Sequence, residues 1–122
     1  MFRKLLVSAS AAAALTVAAS APAAPTATKL TGTVGPGFTI KLTKNGSKVR
    51  SLKAGRYRIV VSDRSADHNF VLEKAKGGTF ERSISSIPFR GTKTVTVKLT
   101  PGKWEYYCRP HEDAMHGEFT VR

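Results

Sequence analysis

From Pro25 onward, apolar and polar positions alternate with a period of two. Phe38, Ile40 and Leu42 alternate with Thr39, Lys41 and Thr43, Tyr57, Ile59 and Val61 with Arg58 and Val60, and Val95, Val97 and Leu99 with Thr94, Thr96 and Lys98. Successive side chains of a strand point to opposite faces, so each run predicts a half-buried strand. The same rule puts Trp104, Tyr106 and Cys108 on one face of a strand and turns Phe119 and Val121 inward on the next. His68 opens a further strand on which His68, Phe70 and Leu72 share a face. Turn chemistry separates the runs at Gly35-Pro36-Gly37, Asn45-Gly46, Lys53-Ala54-Gly55, Gly77-Gly78 and Pro101-Gly102. Short strands at this spacing predict an all-β sandwich or barrel. Residues 73–90 carry no clear period and read as a short helical turn or an irregular excursion. No internal repeat and no second domain is visible.

The N-terminal segment has a different texture. Residues 1–27 hold eleven of the fifteen alanines, with Arg3 and Lys4 ahead of the apolar run Leu5 to Ala19 and the small residues Ala19 to Ala24 behind it. That is the layout of a secretory signal peptide, with an Ala21-x-Ala23 site that would cut before Ala24. The expected organisation is therefore a leader over residues 1–23 and one domain over residues 24–122. A retained anchor or a buried Ala-rich helix are the alternatives. The apolar run is shorter than the ~20 residues a membrane helix needs, and two prolines follow it.

The chain of 122 residues carries 20 Lys and Arg against 8 Asp and Glu, a net charge of +12. Without Arg3 and Lys4 the domain would hold 18 basic against 8 acidic side chains, a net charge of +10. The basic residues are scattered singly along strands and not gathered on a helix or arm, which speaks against nucleic acid. For an exported domain, acidic proteins and anionic envelope or membrane surfaces are the natural counterparts, and nothing in the sequence requires more than a monomer. A chain this short is one compact domain and excludes a large catalytic assembly.

Beyond the leader there is one cysteine, Cys108, one methionine, Met115, and three histidines, His68, His111 and His116, and four of these five lie within nine residues. One cysteine forms no internal disulfide. It is either a small buried apolar residue or, since a free thiol is exposed to oxidation outside the cytoplasm, an occupied ligand. Thiolate and thioether are soft donors and imidazole is intermediate, so one Cys, two His and one weak Met select copper over magnesium or calcium. The Cys108–Met115 loop offers three donors, Cys108, His111 and Met115, and His68 is the candidate for the fourth.

Asp67-His68-Asn69-Phe70, followed forty residues after the histidine by Cys108 in Tyr106-Tyr107-Cys108-x-Pro110-His111-x-x-x-Met115-x-Gly117-x-Phe119-x-Val121, resembles the cupredoxin family, in particular plastocyanins and small bacterial blue copper proteins. The resemblance implies a Greek-key β-sandwich of seven or eight strands holding one type 1 copper ion. It implies His68, Cys108 and His111 as equatorial ligands and Met115 as the axial one. The gap between His111 and Met115 is intermediate between the longer loop of plastocyanins and the shorter loop of amicyanins, which leaves His116 as an alternative ligand. Asn69 matches the family asparagine that ties the two ligand loops together. The following position, often a small hydroxyl residue that receives this tie, is Arg109 here. Either Asn69 finds a backbone partner or the loop is held differently. A guanidinium beside the thiolate would favour Cu(I), unless it points to solvent.

The function that follows from the resemblance is a secreted or periplasmic one-electron carrier, with His111 as the exposed ligand edge where an acidic redox partner docks and Tyr107 as a lateral route. An extracytoplasmic copper capture or delivery protein with the same ligands is the second reading, and a metal-free domain whose basic surface holds envelope polymers is the third. Oxidase chemistry is not expected: three histidines do not furnish a trinuclear copper cluster, and Met115 would occupy the substrate position.

Overall fold

The computed structural model describes residues 8–20 and 26–122. Arg3, Lys4 and the Ala21-x-Ala23 site lie outside the described residues. Residues 8–20 have no regular secondary structure and every one is exposed, so they do not form the buried helix that alanine richness allows. Among the described residues no helix is long and apolar enough to cross a membrane.

The strands are β1 (Thr28–Val34), β2 (Ile40–Lys44), β3 (Ser47–Lys48), β4 (Ser51–Leu52), β5 (Gly55–Asp63), β6 (Phe70–Lys76), β7 (Glu81–Ser85), β8 (Gly91–Leu99), β9 (Gly102–Tyr107) and β10 (His116–Val121). The two-residue strands β3 and β4 are additions to the seven or eight expected. One sheet has the order β3-β2-β1-β5-β8 and the other β4-β10-β9-β6-β7. Pairing is antiparallel except for β1 with β5 and β4 with β10. Asn45 and Gly46, both at positive φ, turn β2 into β3, the conformation for which Asn-Gly hairpin turns are selected.

The core lies between the sheets. Leu30, Val34, Leu42, Ile59 and Val61 of the first face Phe70, Leu72, Trp104, Tyr106 and Phe119 of the second, all buried. Phe70 stacks on Tyr106 with centroids 5.7 Å apart. Two glycines are fitted to these rings. A Cβ on Gly32 would come within 2.9 Å of Val61 Cγ2 and 3.0 Å of the Phe70 ring. A Cβ on Gly117 would collide with the Tyr106 ring and hydroxyl, because Gly117 and Tyr106 are direct partners across β9 and β10.

Two expectations are corrected. Residues 73–90 hold neither a helical turn nor an irregular excursion throughout: β6 runs on to Lys76, Gly77-Gly78 lies in the connection, and β7 returns. The period is hidden because Lys74 occupies an inward position, with Nζ bonded to Thr100 Oγ1 at 2.6 Å and lying 5.8 Å from the Trp104 ring centre. Phe38 is not a core residue. It precedes β2, belongs to the turn beginning at Gly35, and is 64% exposed.

Candidate metal centre

The sequence-predicted donors converge at one end of the sandwich. β9 ends by turning Cys108 into the core, and Pro110 within the turn Arg109–His111 stops the strand. Main-chain bonds then close the loop on itself. His111 N–H donates to Cys108 O (3.1 Å), Met115 N–H to His111 O (2.8 Å), and Cys108 N–H to Met115 O (3.0 Å). His68 arrives from the β5–β6 connection, where Asp63 Oδ1 accepts from Ser65 N–H (3.1 Å), Ser65 Oγ from Asp67 N–H (3.2 Å) and Ser65 O from His68 N–H (3.3 Å). Two separate loops, each braced by its own hydrogen bonds, therefore set where these side chains stand.

His68 Nδ1 and His111 Nδ1 are 3.1 Å apart, and Cys108 Sγ is 3.7 Å from each. The point equidistant from the three atoms lies about 2.0 Å from each, close to the ~2.0–2.3 Å of metal–nitrogen and metal–sulfur bonds. Two imidazole lone pairs at 3.1 Å need a shared proton or a shared cation between them. A soft sulfur as third neighbour makes a soft or borderline cation the better match. These three are the only His, Cys, Asp and Glu group among the described residues with metal-holding geometry. Cys108 and His68 are buried and His111 is partly exposed. The donor set and spacing fit a copper ion.

Met115 is buried in the same core cluster as Cys108, on the loop positions just described. His116 is not brought to the cluster. It is exposed, opens β10, and its Nδ1 lies 2.8 Å from Glu112 O.

Asn69 ties the loops through a backbone partner: Oδ1 accepts from Arg109 N–H at 2.8 Å, and Nδ2 reaches Ser83 Oγ at 3.4 Å. The Arg109 guanidinium points away to Glu81, whose Oε1 it meets at 2.6 Å. The cation is thus paired and half exposed, and the expected electrostatic push toward Cu(I) is blunted. Glu81 Oε1 also accepts from Tyr107 Oη at 2.7 Å. These bonds from Tyr107 and then Arg109 hold the Glu81 carboxyl below its ordinary range. Burial, followed by the bond to Glu81, pushes the Tyr107 phenol up.

Sequence reasoning missed Glu81, which lies 26 residues from Tyr107 and joins it only through sheet topology. It also missed the role of Phe38. That ring stands 5.5 Å from His68 and 4.9 Å from His111, centroid to centroid, and edges onto the second. With Ile87 and Pro110 it forms an apolar rim around His111.

A two-sheet Greek-key sandwich carrying a His-Cys-His cluster at one end defines a cupredoxin. The model of the copper binding proteins of the plastocyanin/azurin family matches residues 33–122, and the chain belongs to that family. Among solved structures it is similar to reduced rusticyanin, at 19% identity and a TM-score of 0.57 over 82% of each chain. It is also similar to a second structure of the copper protein rusticyanin, at 16% identity and a TM-score of 0.54 over 77% of this chain and 76% of that one. No curated protein matches the sequence.

Proposed function

We propose that the protein is an exported one-electron carrier, with His68, Cys108 and His111 as the equatorial copper ligands and Met115 as the axial one. The observation that carries this reading is the triangle of His68 Nδ1, Cys108 Sγ and His111 Nδ1, fixed by two loops on a rigid sandwich. Copper held there would supply a one-electron couple. The protein's part is to keep the donors in one arrangement for both oxidation states, so that little reorganisation opposes transfer. Cys108 and His68 are sealed from water, whereas His111 presents an edge to the surface. An electron exchanged with a partner has its shortest path through that imidazole, and Phe38, Ile87 and Pro110 offer the apolar contact that brings a partner close while excluding water.

The net charge favours acidic redox partners and association that weakens as salt rises. The residues lining the cleft at His111 include no Lys or Arg, so the charge acts there by long-range steering. The leader pattern of residues 1–23 supports export to the periplasm or beyond. The test is voltammetry of the copper-loaded full chain. A reversible one-electron wave is expected. Loss of the metal on reduction, with transfer to a copper acceptor, would replace the carrier by a copper delivery protein.

A further inference from the structure

The excess of positive charge is not spread evenly over the sandwich. On the outer face of the sheet β3-β2-β1-β5-β8, register places Lys29 directly beside Arg58 and Arg56 directly opposite Lys98. Lys41 and Lys48 stand on the same face, and all six side chains are exposed. The one acidic residue in these strands, Asp63, is buried. The other sheet carries the acids, with Glu73, Glu105 and Glu118 in one cross-strand row. Both ion pairs found among the described residues, Lys103–Glu118 and Arg109–Glu81, involve that second sheet.

Like charges directly opposite one another in a sheet are destabilising. Two such pairs with no countercharge on their face therefore cost stability that an anionic ligand would return. The pairs also sit away from the metal. Lys29 is five residues up β1 from Val34, about 17 Å, and Arg56 is seven up β5 from Asp63, about 23 Å, at ~3.3 Å per residue. An open cleft at the same end is lined among others by Lys44, Lys53 and Arg56.

We propose that this face, centred on Lys29, Arg56, Arg58 and Lys98, binds a linear acidic polysaccharide and holds the molecule by the end opposite His111. Neighbouring strands are about 4.8 Å apart and same-face residues of one strand about 6.6 Å, so the cations form a lattice that matches the repeating charges of a polymer. Between them lie the hydroxyls of Thr31, Thr33, Thr43, Thr94 and Thr96, partners for sugar hydroxyls. The face exposes no large apolar side chain, so it lacks the aromatic or aliphatic anchors of a protein interface, the wedge that enters a bilayer and the stacking platform of single-stranded nucleic acid. A second copy of the same face would repel it. Copper chemistry at the other end would remain open to its partner while the molecule is held.

The experiment titrates labelled polygalacturonate with the full chain, its quadruple variant Lys29→Thr, Arg56→Thr, Arg58→Thr, Lys98→Thr, and a charge-matched control, Lys76→Thr, Arg82→Thr, Arg90→Thr, Lys103→Thr. Thermal unfolding of each establishes that it is folded, and the double variants Lys29→Thr/Arg58→Thr and Arg56→Thr/Lys98→Thr stand in if the quadruple is not. The expected result is at least a tenfold loss of affinity in the first variant, a shallower dependence on salt as fewer counterions are released, and less than a threefold loss in the control. Equal losses in both would overturn the proposal by reducing it to net charge. So would tighter binding, at matched salt, to phosphatidylglycerol vesicles or to duplex DNA than to the polyuronate.

Discussion

The bond between the two ligand loops gives a quantitative prediction. Asn69→Ala removes the acceptor of Arg109 N–H, the 2.8 Å tie between the His68 loop and the Cys108 turn, and the weaker contact to Ser83. The bond is part-buried and Arg109 itself is exposed, so water reaches the freed N–H in part. Leaving the donor unpaired is therefore expected to cost about 1 kcal/mol, the lower end for a buried polar group, with a further small loss from the volume of the buried Asn69 side chain. Because His68 and Cys108 are no longer held at one separation, copper binding loses part of its preorganisation, and a lost support of this kind typically lowers metal affinity about 10–100-fold. The assay is urea unfolding of the metal-free protein alongside competition for copper with a chelator, on wild type, Asn69→Ala and Asn69→Asp. Asp retains an oxygen acceptor at the same reach, so it is expected to recover most of the copper affinity lost in Ala. If the Ala variant matches wild type in both measurements, or Asp is no better than Ala, the two loops are not coupled through this bond.

Other outcomes follow from the same structure. Gly117→Ala forces the Tyr106 ring off Phe70 and is expected to lower unfolding stability by about 3 kcal/mol, at the upper end for overpacking, measured in urea, whereas Thr120→Ala on the exposed face of β10 should cost little. Phe38→Ala removes an exposed ring, so stability should stay within about 0.5 kcal/mol, while electron self-exchange measured by NMR line broadening changes several-fold because the rim of His111 is altered. Glu81 has a folded pKa below its ordinary value of 4.5. Its contribution is present above that value and lost as pH falls through the lower folded pKa. Thermal midpoints of wild type and Glu81→Gln should therefore differ at pH 6 and converge toward pH 2, and a constant difference would contradict the role given to Tyr107 and Arg109.

The strands whose inward residues are all apolar could be read directly from alternation, as Tyr57-Ile59-Val61 and Trp104-Tyr106-Cys108 illustrate. β6 could be read only as far as Leu72, because inward Lys74 satisfies its charge at Thr100 and over Trp104 and so breaks the apolar period, and β7 could not be read because its first three residues, Glu81, Arg82 and Ser83, are exposed and polar. Phe38 misled for the opposite reason: it extends the alternation of Ile40 and Leu42 in phase, yet the turn at Gly35-Pro36-Gly37 displaces it to the metal end. The candidate donors His68, Cys108 and His111 were legible because few residue types carry their chemistry and three of the candidates share one loop. What they touch was less so. Gly117 is explained only by its register against Tyr106, Glu81 only by the adjacency of β7 and β9, and the concentration of cations on one sheet only by topology.

The central claim is a thiolate–copper bond at Cys108 flanked by His68 and His111. It is tested most directly by the visible absorption spectrum of the full chain after addition of one equivalent of Cu(II), with Cys108→Ser in parallel. An intense sulfur-to-copper charge-transfer band that disappears in the serine variant is predicted. A colourless wild-type product, or a band that survives Cys108→Ser, would contradict the account.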